Sequence, residues 1–141
     1  HSTSRRQRQM CIRDRSYAAA GVNVFAAETD AEACRLFTSA QQQFTRMVRG
    51  TRGKLPPPID DIETYWTPAE KEQAAGMLRF SFVGSPDTVR SGLQQFVDET
   101  GVEELIVASA IYDHPARLRS YEILAQLDIF KNSEHLDDAQ R

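Results

Sequence analysis

Apolar positions along this chain change their spacing several times, and each change marks an element. Gly21-Val-Asn-Val-Phe-Ala-Ala27 is a short apolar run of strand type. Thr29-Asp-Ala-Glu32 follows with capping-box spacing and predicts a long helix. On that helix Ala33, Phe37, Ala40, Phe44 and Met47 or Val48 fall on one face. Gln41, Gln42 and Arg46 take much of the remainder, and Gly50-Thr-Arg-Gly53 ends it. The pattern then breaks at Lys54-Leu-Pro-Pro-Pro-Ile59. Three successive prolines remove three amide donors, so an extended surface segment is expected.

Beyond the prolines, acidic Asp60-Asp-Ile-Glu63 leads to Tyr65-Trp66. Thr67-Pro-Ala-Glu70 is a second capping box, for a short helix ending near Leu78. More than fifty residues therefore separate the first strand from the next, far above the usual connection length, so the stretch at about 50–78 reads as a lid-like insertion.

The densest signals come next. Phe80-Ser-Phe-Val-Gly84 reads as a strand. Ser85 is placed to cap a helix, Pro86 suits its first position, and Asp87 favours its positive end. Val89, Leu93, Phe96 and Val97 form the helix's apolar stripe, and Gly101 provides a left-handed stop. Leu105-Ile-Val-Ala108 is apolar without alternation, as a strand buried on both faces would be. Strand, helix and strand make one βαβ unit, whose strands must be parallel and need helices or further strands over them. Asp113 then caps a last helix, Pro115 to Leu127, with Leu118, Tyr121 and Leu124 or Ala125 on one face.

Residues 1–16 differ in kind. They hold five of the 17 basic residues and one of the 20 acidic ones, which leaves 12 against 19 in the body, a formal charge of −7. Clustered arginines attract phosphates, but this tail has no interleaved aromatics and no recognition helix, and the acidic body would oppose a polyanion. Nucleic-acid binding is therefore not expected. Met10-Cys-Ile-Arg-Asp-Arg15 resembles a translated sequencing-adapter read-through, so 1–16 is expected to be a disordered, non-native tail, with natural coding sequence starting near Tyr17. The polar stretch 128–141 should fray. No apolar run approaches the ~20 residues of a membrane span. Two cysteines without metal-ligand spacing argue for a reduced, cytoplasmic protein and against a zinc site; Cys34 lies close to its helix's apolar face.

The order strand, helix, insertion, strand, helix, strand, helix, together with Val22-Asn-Val-Phe-Ala-Ala-Glu-Thr-Asp-Ala-Glu-Ala33, Phe82-Val-Gly-Ser-Pro-Asp-Thr-Val89, Thr100-Gly-Val-Glu-Glu-Leu-Ile-Val107 and Asp113-His-Pro-Ala-Arg-Leu-Arg-Ser-Tyr-Glu122, resembles the carboxy-terminal part of bacterial luciferase-like flavin-dependent monooxygenases. The resemblance covers roughly 17–127. It implies an α/β fold, the last three βα units of a (β/α)8 TIM barrel, in a chain too short for the about 250 residues of the closed barrel. It further implies reduced FMN, or a deazaflavin in some branches, reacting with oxygen and a small organic substrate, with a flavin reductase as partner and a homodimer in the full-length form. With the first five strands missing, the fragment is expected to be inactive alone, and no catalytic residue is assigned. The competing reading is a non-enzymatic α/β module whose three strands are completed by self-association.

His114 and Ser109 follow the last strand, where barrel sites sit, and are the candidate cofactor contacts at the pocket rim. A histidine there suits proton transfer; the plainer account is a helix-start residue beside Asp113. Ser109 equally suits a backbone contact. Gly84-Ser85 opens a helix whose amides could hold phosphate, which Asp87 opposes. Arg119 is expected to pair with Glu122. Tyr65 and Trp66 read equally as pocket lining and as anchors for the insertion.

Overall fold

A computed structural model of the chain describes residues 17–130. Three strands, β1 (Ala19–Ala26), β2 (Ser81–Gly84) and β3 (Glu104–Ala108), form one sheet with helices on both sides. The helices are α1 (Asp30–Val48), α2 (Pro68–Met77), α3 (Pro86–Thr100) and α4 (His114–Ala125), with a short 3-10 helix at Ile62–Thr64. Both pairings are parallel, as the βαβ reading requires. The strands are not neighbours in chain order: β1 lies in the middle. Its carboxyl half pairs with β2, from Asn23 opposite Ser81 to Ala26 opposite Gly84, and its amino half with β3, from Ala19 opposite Glu104 to Asn23 opposite Ala108.

The central position explains why β1 is apolar without interruption near its end. Val22, Val24 and Ala26 face one way, into a core with Val89 and Leu93 of α3, Ile123 of α4 and Ile129. Phe25 faces the other way and joins Ala27, Leu78, Ile111 and the α1 residues Ala33, Leu36 and Ala40. Packing continues past Leu127, since Ile129 is itself buried.

β3 differs from the doubly buried strand that its composition predicts. Leu105 and Val107 pack into the α3/α4 core, while Glu104, Ile106 and Ala108 are exposed. As an edge strand it is covered on one face only. Ile106 is 63% exposed, a branched apolar side chain on open sheet.

Two helix faces also differ from the sequence reading. On α1, Met47 and Val48 are exposed, whereas Thr38, Gln42 and Thr45 are buried. The reason lies in the prolines. They remove donors but keep carbonyls, and α1 supplies what those groups lack: Gln42 Nε2 donates to the Pro57 carbonyl at 3.0 Å, Thr38 Oγ1 to the Ile59 carbonyl at 3.3 Å, and the Ile59 amide donates back to Thr38 Oγ1 at 3.0 Å. Gln42→Leu is expected to lower stability by about 0.5–1.5 kcal/mol, because the hydrogen bond that ties the buried Gln42 side chain to the Pro57 carbonyl is lost; urea denaturation checks this, and an unchanged midpoint would contradict it. On α4, Ile123 and Ser120 are buried while Leu118 and Tyr121 are exposed. Ser120 accepts the Ala26 amide at 3.0 Å, closing the end of β1. Cys34, read as near an apolar face, is exposed.

The helix boundaries are largely those the caps predict. Thr67 and Glu70 form a complete capping box for α2, and Thr29 Oγ1 accepts the Glu32 amide at the start of α1. Gly101 is left-handed at φ +69° and ends α3. Ser85 is the exception: its side chain makes no capping bond to the helix amides and instead lies 3.2 Å from the Thr88 hydroxyl.

Candidate functional site

The carboxyl ends of the three strands feed the turns into α1, α3 and α4, and side chains from these turns tie them together. Asp30, at the start of α1, accepts the Ser85 amide at 2.7 Å, so the free helix end that might hold a phosphate already holds a carboxylate of this chain. The Ser85 amide first, and then the Thr88 hydroxyl, hold the Asp30 carboxyl below its usual range. Gly84 is what allows this approach. Its φ is +157°, and a Cβ there would lie 2.7 Å from Asp30 Oδ1 and 2.6 Å from Thr88 Cγ2.

The β3 exit carries the two residues singled out from sequence. Ser109 is buried, and its hydroxyl donates to the Val24 carbonyl at 2.7 Å, stitching β3 to β1. His114 is exposed, and its Nδ1 lies 2.7 Å from a terminal nitrogen of Arg117. A guanidinium has no acceptor, so in this contact Nδ1 is the acceptor. Asp113 caps α4 through the Ala116 amide at 3.1 Å. Arg119 makes the expected pair with Glu122 at 3.3 Å and a shorter one, 2.6 Å, with Glu28 at the exit of β1. Hydrogen bonding to Arg119 lowers the Glu28 pKa. The Glu28 pair, which joins α4 to the β1 turn across 91 positions, carries no local sequence signal.

The insertion is packed against α1 and divides Tyr65 from Trp66 in role. Tyr65 is an anchor: the Arg49 guanidinium lies 4.8 Å from its ring centroid and donates to its carbonyl at 2.8 Å, and Arg46 Nε donates to its hydroxyl at 3.4 Å. Arg49 also grips Glu70 with two bonds, 2.5 and 3.0 Å. Trp66 instead lines a groove of about 480 Å³ between α1, the 3-10 helix and α2.

Arg49, then the Thr67 amide, lower the Glu70 pKa from 4.5 to about 2. A depressed carboxyl stabilises the fold above its unfolded pKa and loses that contribution as pH falls. Loosening of the insertion is therefore expected between about pH 4.5 and 2. Hydrogen exchange of amides 65–78 would show it as a step in that window which Glu70→Gln abolishes; a step unchanged by that substitution would assign it elsewhere.

Among the described residues no group of three His, Cys, Asp or Glu is placed to hold a metal ion, and no helix is long and apolar enough to cross a membrane. No protein-family profile matches the chain. A luciferase-like monooxygenase of Escherichia coli (strain K12) is 41% identical over 110 residues, which are 78% of this chain and 33% of that protein. The chain belongs to the luciferase-like monooxygenase family. YvbT, an uncharacterized protein of Bacillus subtilis (strain 168), is 40% identical over 121 residues, 86% of this chain and 35% of that protein. Among solved structures, that of apo-MsnO8 superposes with a TM-score of 0.62 at 35% identity, covering 79% of this chain and 34% of that one. This luciferase-like monooxygenase sequence thus spans about a third of the length of the relatives it matches, and its parallel α/β sheet corresponds to part of a barrel-like fold.

Luciferase-like monooxygenases generally use reduced flavin. The described rim does not fit a flavin phosphate. Asp30 takes the Ser85 amide at the start of α3, Asp113 caps α4, and Arg119 is held between Glu28 and Glu122. A second anion at this rim would meet these carboxylates.

Proposed function

We propose that this chain is the carboxy-terminal portion of a flavin-dependent monooxygenase that uses reduced FMN, or a deazaflavin, and oxygen on a small organic substrate in the cytoplasm. The observation that carries this reading is the 41% identity to the Escherichia coli luciferase-like monooxygenase across 78% of the chain. In this reading the flavin phosphate is held by segments that the longer relatives have outside the matched third, a flavin reductase supplies the reduced cofactor, and the full-length protein is a homodimer. His114 edges the pocket, and Ser109 supports it through the strand beneath.

A chimera tests this. Residues 17–130 replace the matched third of the Escherichia coli relative, and binding of reduced FMN and oxygen consumption are measured. The chimera is expected to bind reduced FMN as its parent does, and the 141-residue chain alone is expected to do neither. A folded chimera that fails to bind the flavin its parent binds would refute the assignment, and His114→Ala within it should change oxygen consumption without changing the fold.

The exposed Ile106, and the outer sides of β2 and β3, which pair with no other strand among the described residues, favour a second reading, a non-enzymatic module completed by self-association. It requires the isolated chain to sediment as a defined oligomer, a result the enzyme reading does not call for.

A further inference from the structure

The Trp66 groove is a separate feature from the strand-end rim, because it includes Arg79 and Ser81, which stand at the amino-terminal end of β2. Its volume, about 480 Å³, falls within the range of small-molecule pockets. One stripe of α2, Lys71, Ala74, Ala75 and Leu78 at steps of three and four, forms one wall. Phe37 and Gln41, one turn apart on α1, form the opposite wall. The space exists because two of the α2 positions are alanine.

Both aromatic walls are held in place. The Trp66 indole donates through Nε1 to Glu63 at 3.2 Å, and Glu63 is itself fixed by Lys71 at 2.7 Å. The Phe37 ring lies 4.8 Å from that of Phe25 in the core. The cations at the mouth are not equivalent. Lys71 is neutralised by Glu63, whereas Arg79 lies over the Phe80 ring at 5.4 Å and pairs with no carboxylate among the described residues. An aromatic lining held in this way suits a flat apolar body. A guanidinium without a carboxylate suits an anionic group, which it can hold with two parallel hydrogen bonds.

We propose that this groove is a ligand site for a planar aromatic acid, its ring system between Trp66 and Phe37 and its carboxylate or sulfonate at Arg79. The site requires neither flavin nor oxygen, so its failure would leave the monooxygenase reading untouched.

Trp66 is the only tryptophan of the chain, which makes occupancy directly visible in its emission. The 141-residue protein is titrated with 2-naphthoate and with the uncharged 2-naphthalenemethanol, by calorimetry and by Trp66 emission. Naphthoate is expected to bind saturably with a change in that emission, and Arg79→Gln to weaken it about tenfold or more while leaving the alcohol unaffected. Ala75→Phe, at an exposed position on the wall, is expected to abolish binding of both compounds. Absence of saturable binding, equal weakening of acid and alcohol by Arg79→Gln, or binding that survives a folded Ala75→Phe variant would each overturn the proposal. Should Ala75→Phe fail to fold, the Arg79→Gln comparison still decides.

Discussion

Phe25→Ala is expected to cost about 3–5 kcal/mol, the usual range for deleting a buried aromatic ring. The estimate belongs at the upper end for a structural reason. Phe25 is 1% exposed and is the side chain through which the central strand meets the α1 layer, where it packs against Phe37 and with Ala33, Leu36 and Ala40. The opposite side of β1 is served by Val22, Val24 and Ala26, so losing Phe25 weakens the attachment of one layer to the sheet while leaving the other untouched. A domain of this size has only about 5–15 kcal/mol in total. Urea denaturation followed by Trp66 emission should therefore show the Phe25→Ala transition displaced to much lower urea. Phe25→Leu, which keeps most of the volume, should lose about 1.5 kcal/mol or less. An alanine variant nearly as stable as the parent would mean that α1 is not docked through this ring.

Gly84→Ala is expected to destabilise by about 2–4 kcal/mol, combining a strained backbone with local overpacking. The added methyl group would stand 2.6 Å from Thr88 Cγ2 and 2.7 Å from both Thr88 Cβ and Asp30 Oδ1, distances real Cβ atoms do not adopt. Neither neighbour yields easily. Thr88 is β-branched and stiff about its first torsion, and Asp30 is held by the Ser85 amide. Relief requires giving up that bond, which links the turn after β1 to the turn after β2. Thermal melting tests this, with Thr88→Ala as the second arm: the double variant should recover part of the loss, because the nearest of the three close contacts, that with Cγ2, disappears. A Gly84→Ala protein melting with the parent would show that the turn relaxes freely.

These two positions also mark how far the sequence could be read. The Gly84 turn was legible as strand, turn and capped helix because glycine, serine, proline and aspartate each suit a different backbone requirement at adjacent positions. That Asp30, rather than Ser85, would satisfy the turn amide was not legible, since the two residues are 55 positions apart. The same holds for the α1 face. Helical spacing found Ala33 and Ala40, with Phe37 and Phe44 packed beside them, but it also pointed to Met47, which is exposed, and missed Thr38 and Gln42, whose partners are carbonyls and an amide of a proline segment distant in sequence. For β3, an unbroken apolar run could not distinguish a strand covered twice from one covered once. At the candidate rim, local reasoning placed Ser109 and His114 at a strand end and a helix start, and found the Arg119–Glu122 pair. It had no access to Glu28, which reaches Arg119 only through the fold.

The middle position of β1 sets the order in which this chain can acquire its sheet. Among the described strands, β1 meets its first sheet partner 58 residues later, at the Asn23–Ser81 position, and its longer pairing, with β3, waits about 85 residues. Contacts of such sequence separation form slowly, because the loop between them must be closed before any pairing rewards it. When the 141-residue chain refolds by itself, Val22, Val24 and Phe25 therefore stay bare until these distant strands arrive, and this apolar run is where chaperone capture or aggregation would begin.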